Sequence, residues 1–322
     1  MKLRHLLLGA IAVAGAACQR TATVGSPAPS AIMIVQPDTT LPPSNATAAA
    51  RLAASTRRGE WVKIPWGGGA TDSLMAWVVY PNDLGGRARA PVVVVVHEIF
   101  GLSTWVRGVA DEFAARGFIA IAPDLASRVR GGPSTVELAS AEASALFRNP
   151  GIPMADRNQG IVAVAQYAMS RPNAVQKYGV VGFCWGGQTT WGHAIHGGAA
   201  GFAGGISYYG AFPYGTPGTT PAGGRVNVPR ADSLAKVRVP MMVLNGSRDA
   251  GIAAQLPHLD SMMKAQNKPF TSRNYDNADH GFLRAQADPK ATRDTANERA
   301  NVAASKDAWP LTIQFFNQYL KR

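Results

Sequence analysis

Residues 182–187 read GFCWGG, which sets Cys184 among glycines directly after the apolar run YGVVGF. A thiol on a sharp strand-to-helix turn is well placed to act as a nucleophile. The turn lifts the sulfur clear of the strand, the helix N-terminus favours its thiolate, and glycines at 182, 186 and 187 let neighbouring elements approach. The plain alternative is a small buried hydrophobe. Two more polar residues follow apolar runs: Asp249 after MMVLNGSR and His280 after FTSRNYDNAD. Taken singly, Asp249 fits a turn with Gly251, and His280 fits a loop histidine beside Asp279. Together they give the order nucleophile, acid, histidine, one of the orders in which acyl-transfer triads occur. Trp185, next to the cysteine, offers its backbone N–H to a developing oxyanion.

Other residues have weaker claims. Glu98 ends a strand of five valines, where a carboxylate is costly to bury unless it is paired or protonated; the alternative is a glutamate on a wet rim. His97 is expected to pack behind that loop and hold its backbone. Tyr209, closing the run AGGISYYG, is a candidate substrate contact. His193 and His196 stand three apart on a predicted helix, but no third ligand lies near, so packing is preferred to a metal. No metal or cofactor is expected. A redox role lacks a resolving partner, because Cys18 is the chain's other cysteine.

These residues need elements to hold them. EWVKIPW and LMAWVVYP alternate like two edge strands, expected as an antiparallel hairpin. APVVVVVHE has no polar face and reads as a strand buried on both sides of a parallel sheet. Ser103 is expected to cap a helix that places Val106, Val109, Ala110 and Phe113 on one face and ends at Gly117. FIAIAPDL is the next buried strand. Helices near 136–147 and 155–170 precede the strand YGVVGF and the cysteine turn, and a helix from Trp185 to about His196 follows. MMVLNG, a helix near 253–265, FTSRNYD and a final helix bearing Trp309, Ile313, Phe316 and Tyr319 complete the chain. Residues 211–240, rich in Gly, Pro and Thr, read as a long irregular connection. Strands alternating with helices imply a single α/β domain with a mainly parallel sheet and helices on both faces, its site beyond the carboxyl ends of the strands.

The 322 residues are 46% hydrophobic and 16% charged, the balance of a compact enzyme. The net charge of +12 is scattered in singles and pairs without an aromatic-interleaved basic run, so nucleic-acid binding is not expected. Residues 1–18 have a basic head, an apolar stretch too short to span a bilayer and small residues before Cys18, as an export signal does. Ala14 and Ala16 form one possible cleavage site. GAAC forms another, resembling a lipobox that would leave a lipidated Cys18 as a membrane tether, although Gly15 departs from the usual larger aliphatic. Residues 19–58, rich in Ala, Thr, Ser and Pro, are expected to be a disordered tether, and 59–322 the folded, monomeric domain.

The segments HEIFGLSTWVRGVADEFAARGFIAIAPDL, GFCWGG and DHGFLR resemble the dienelactone hydrolase family, within the α/β-hydrolase fold, and the likeness spans roughly Trp61 to Leu320. The resemblance implies Cys184 as nucleophile, Asp249 as orienting acid and His280 as general base. It also implies Glu98 as the glutamate that contacts the resting thiol and gates it, Ile99 as a second oxyanion amide beside Trp185, and Arg284 as a substrate-carboxylate ligand. Arg148 and Arg157 are candidates for a second such arginine. The expected activity is hydrolysis of a small ester or lactone through a thioester. The competing expectation is a non-catalytic exported lipoprotein that keeps the fold as a binding module.

Overall fold

The computed structural model of the chain describes residues 35–66, 72–84, 86, 88–135, 138, 140–148, 151–220 and 223–322. The expected export signal, Cys18 and the first part of the expected tether lie outside them. The chain begins with a short helix α1 (Ala48–Ala53) and the strands β1 (Gly59–Pro65) and β2 (Ser73–Val79). Then come β3 (Ala90–Val96), α2 (Thr104–Ala115), β4 (Ile119–Asp124), α3 (Ser127–Arg130), α4 (Ser140–Phe147), α5 (Met154–Met169), β5 (Ala174–Phe183) and α6 (Trp185–Ile195). The second half adds β6 (Phe202–Tyr208), β7 (Gly215–Thr219), β8 (Arg225–Pro229), α7 (Ala231–Ala235), β9 (Met241–Gly246) and α8 (Ala250–Ala253). It closes with α9 (Leu256–Ala265), β10 (Phe270–Tyr275), α10 (Phe282–Ala285) and α11 (Thr295–Leu320).

Eight strands form one sheet in the order β1-β2-β4-β3-β5-β6-β9-β10. The β1–β2 hairpin is antiparallel and joins β4 antiparallel, while all other pairs are parallel. The valine run shows why β3 has no polar face. Val93 and Val95 enter the core beneath α2 and α11, whereas Val92, Val94 and Val96 enter the one beneath α4 and α5. Each buried valine contributes about 1.5–3 kcal/mol relative to exposure, so both faces of the strand hold it at the sheet centre. Parallel strands turn their carboxyl ends to one edge, and Glu98, Cys184, Tyr209, Asp249 and His280 all follow strands at that edge.

Two expectations are corrected. Residues 41–53, assigned by composition to a tether, are folded onto α2. Leu41 and Ala48 are buried, Trp105 Nε1 donates to Pro43 O at 2.8 Å, and Arg51 pairs with Glu112. Gln286 Nε2 donates to Pro42 O at 3.2 Å and Asn45 N–H to Arg284 O at 2.8 Å. Few apolar anchors suffice because side chains distant in sequence satisfy the segment's carbonyls. Residues 211–240 are also not irregular. β7 and β8 pair antiparallel from Gly215↔Pro229 to Thr219↔Arg225, and α7 follows. Phe212, Leu234 and Val237 pack with Trp191 in a third core cluster.

Candidate active site

Cys184 sits between β5 and α6 with φ 55° and ψ −116°. A non-glycine residue in this region carries strain of about 1–3 kcal/mol, which the surroundings must impose. They do so from both sides. Cys184 N–H donates to Tyr208 O at 3.0 Å, tying the turn to β6. A Cβ on Gly182 would stand 2.0 Å from Gly186 O, and one on Gly186 would stand 2.4 Å from Val96 O, so the elbow closes only with glycine at both places. Trp185 begins α6, and its N–H therefore has no partner within the helix.

Asp249 precedes α8 after β9, and His280 follows β10, on the loop before α10. The structure brings them together: His280 Nδ1 donates to Asp249 Oδ2 at 2.5 Å. Its other electrostatic neighbour is Cys184. Burial works against a charged ring, but the hydrogen bond to Asp249 and the influence of Cys184 outweigh it and push His280 up to about 10. His280 remains 44% exposed, so the group faces solvent where a substrate would enter.

Glu98 is buried, not on a wet rim, and its Oε2 lies 3.3 Å from Arg284 Nε. The Arg284 guanidinium also stands over the Phe100 ring at 4.6 Å. Tyr209 is fully buried with φ 37°, and its ring centre lies 4.9 Å from that of His280. Its hydroxyl has no hydrogen-bond partner among the described residues, and burial together with the nearby Glu98 charge holds its pKa well above the ordinary tyrosine value. Ile99 follows Glu98 in the turn after β3 and is partly buried.

The two further arginines separate. Arg148 is exposed at the end of α4. Arg157 is buried on α5 and stacks over the Trp185 ring at 4.1 Å, donating from Nε to Ile152 O at 2.7 Å and from Nη1 to Gln188 Oε1 at 3.0 Å. Desolvation lowers its pKa to about 10. His193 has both ring nitrogens engaged, one with Tyr178 at 2.9 Å and one with Asn158 at 2.7 Å, and burial lowers its pKa to about 3. His196 instead meets Tyr214 at 3.0 Å. Among the described residues no cluster suited to a metal occurs. Gln188, four residues after Cys184 and so on the same helix face, is a neighbour that sequence reasoning passed over although the spacing marks it.

The sequence profile of the dienelactone hydrolase family matches residues 75–320. A carboxymethylenebutenolidase of Rhodococcus opacus is 28% identical over 244 residues, covering 76% of this chain and 87% of that protein. Among solved structures, a candidate dienelactone hydrolase from Klebsiella pneumoniae superposes with a TM-score of 0.63 at 24% identity, over 82% of this chain and all (100%) of that one. A dienelactone hydrolase-like promiscuous phosphotriesterase from metagenomic libraries gives 0.62 at 19%, over 81% and 99%. Both structural likenesses speak for the fold, and with the profile match they place this single α/β-hydrolase domain: the chain belongs to the dienelactone hydrolase family.

Proposed function

We propose that this chain hydrolyses ester or lactone bonds of small molecules through a thioester on Cys184. The observation that carries the reading is the strained elbow that presents Cys184 to a His280 ring already bonded to Asp249. His280 takes the thiol proton, and the sulfur attacks the substrate carbonyl carbon while the carbonyl oxygen becomes anionic. The backbone N–H groups of Ile99 and Trp185 receive that oxyanion. Collapse of the adduct breaks the acyl–oxygen bond, and His280 returns its proton to the leaving alkoxide. In a lactone the alkoxide stays attached to the acyl group. Water activated by His280 then attacks the thioester, releasing the acid and restoring the thiol.

Glu98 is the group proposed to restrain the resting thiol, with Arg284 holding its carboxylate. Tyr209 supports a substrate-contact role because its buried hydroxyl has no partner to lose. Arg284 and Arg157 support recognition of an acidic acyl group. Arg157 is the stronger of the two remaining candidates, since Arg148 is exposed and Arg157 stacks on the residue next to the nucleophile.

The test compares purified wild type, Cys184→Ala and His280→Ala on short aryl esters and acidic lactones. Each variant is expected to lose at least about 10³-fold in kcat. Undiminished hydrolysis by Cys184→Ala would end the thioester proposal, whereas a wild type without turnover on either substrate class would favour the non-catalytic binding reading. We further propose export and anchorage through a lipidated Cys18. Labelling with a tritiated fatty acid, lost in Cys18→Ala, is the expected result, and an unlabelled, freely released protein contradicts it. Sedimentation is expected to show a monomer.

A further inference from the structure

His97 is fully buried, and both of its ring nitrogens are in use. Leu125 N–H donates to Nε2 at 3.1 Å, so Nε2 carries no proton. The proton of the neutral ring therefore sits on Nδ1, which donates to Glu98 O at 2.6 Å. Desolvation lowers the pKa of this histidine and keeps the ring neutral. Packing fixes its plane as well. The ring stacks on Trp185 with centres 5.6 Å apart and planes 7° apart, and meets the edge of Phe147 at 5.6 Å.

The carbonyl that His97 grips belongs to the peptide unit joining Glu98 to Ile99. A trans peptide is planar, and its C=O and N–H point to opposite sides. The Glu98 oxygen is held inward by His97 and also receives Gly101 N–H at 3.3 Å. The other end of that unit is Ile99 N–H, which donates to no acceptor among the described residues. A donor bonded to a carbonyl also polarises the same amide, so its N–H becomes a stronger donor in turn.

We propose that His97 is a positioning residue for acyl transfer: by donating from Nδ1 to Glu98 O it aims and polarises the Ile99 N–H that receives the oxyanion. The inference rests on the Cys184 thioester reading and adds a residue that touches neither substrate nor sulfur. It also gives a reason for a polar ring to be buried against Phe147 and Trp185. His97 stacks on the side chain of Trp185, whose own N–H is the second proposed donor, so one ring braces the segments that carry both donors.

The experiment separates oxyanion stabilisation from general damage. Alkylation of Cys184 by iodoacetamide needs the thiolate but builds no oxyanion, whereas ester turnover needs both. His97→Phe keeps the stacking and removes the donor; kcat on an aryl ester is expected to fall about 10–100-fold, with KM and the alkylation rate within about threefold of wild type. His97→Gln, which restores a donor and an acceptor, is expected to recover most of the loss. Turnover within threefold of wild type in His97→Phe overturns the proposal, as does a parallel fall in turnover and alkylation. On wild type, nitrogen-15 spectra of the imidazole are expected to show His97 protonated on Nδ1, and protonation on Nε2 overturns the proposal whatever the variants do. Full activity of Cys184→Ala would instead remove the thioester reading itself, a distinct outcome.

Discussion

Arg284 Nε lies 3.3 Å from Glu98 Oε2, which joins α10 to the turn after β3. Glu98 is buried while Arg284 is about a quarter exposed, so the two ends of the contact differ in what they lose when it breaks. Arg284→Met is expected to leave a buried carboxylate short of compensation and to lower unfolding free energy by about 2–3 kcal/mol, the lower side of the range for buried pairs. Glu98→Gln removes the buried charge and is expected to cost less. The double variant should be more stable than the sum of the single losses predicts, as read from urea denaturation. Strict additivity would show that the contact carries no coupling.

His280 should report the chemistry of its neighbours. Its pKa is raised to about 10 by Asp249 and by Cys184, against desolvation. In Cys184→Ala one of those causes is gone, so the titration of His280, followed by proton NMR, is expected to move down toward the ordinary histidine value near 6.5. The sign for stability follows. A raised pKa means that the folded state binds the proton more tightly, so the contribution is complete below about pH 6.5, declines above it, and is lost as pH passes about 10. An unchanged His280 titration in Cys184→Ala would mean that the ring does not sense the sulfur.

The elbow makes a steric prediction. Gly186→Ala would put a Cβ 2.4 Å from Val96 O and 2.6 Å from His97 O, both backbone atoms that cannot rotate away. The variant is expected to lose about 3 kcal/mol or more and most of its activity, because relief requires moving α6 away from the loop that holds Glu98. Gly251→Ala, where an added Cβ meets nothing within 4 Å, is the matched control and should behave as wild type in thermal denaturation and turnover. Equal behaviour of the two variants would contradict the close-approach account.

The parts of this molecule that were readable in sequence are those encoded locally. Five valines in a row announce a strand buried on both faces, and glycines flanking Cys184 announce a turn with no room for side chains. The order Cys184, Asp249, His280 placed three groups at strand ends that the sheet then brings to one edge. What escaped depends on partners distant in sequence. Pro42 and Pro43 look like linker until Gln286 and Trp105, 244 and 62 residues away, supply donors to their carbonyls. The β7–β8 pair escaped because GTPGT carries no apolar residue to alternate and RVNVP, though it alternates, is only five residues long and ends in proline. His97 was readable as a support for the loop, but its tautomer required Leu125 N–H, which sequence spacing does not reveal.

The folded segment before β1 should influence the site through Arg284. Asn45 N–H donates to the Arg284 carbonyl at 2.8 Å, and the segment is pinned to α2 by Trp105 Nε1 and by Pro43, whose ring stands 2.8 Å from where a Cβ on Gly108 would lie. Gly108→Ala is therefore expected to lift residues 41–53 from α2, because a proline ring cannot yield as a flexible side chain would. Trp105→Phe removes the donor to Pro43 O and should cost about 1 kcal/mol through that bond, in addition to any change in packing. In both variants the segment is expected to become sensitive to limited proteolysis and the Asn45 amide to exchange faster. Loosening of the Arg284 backbone is expected to raise KM for an acidic lactone more than for a neutral ester. Faster exchange at Asn45 with equal KM changes for both substrates would show that the segment stabilises the domain without reaching the guanidinium.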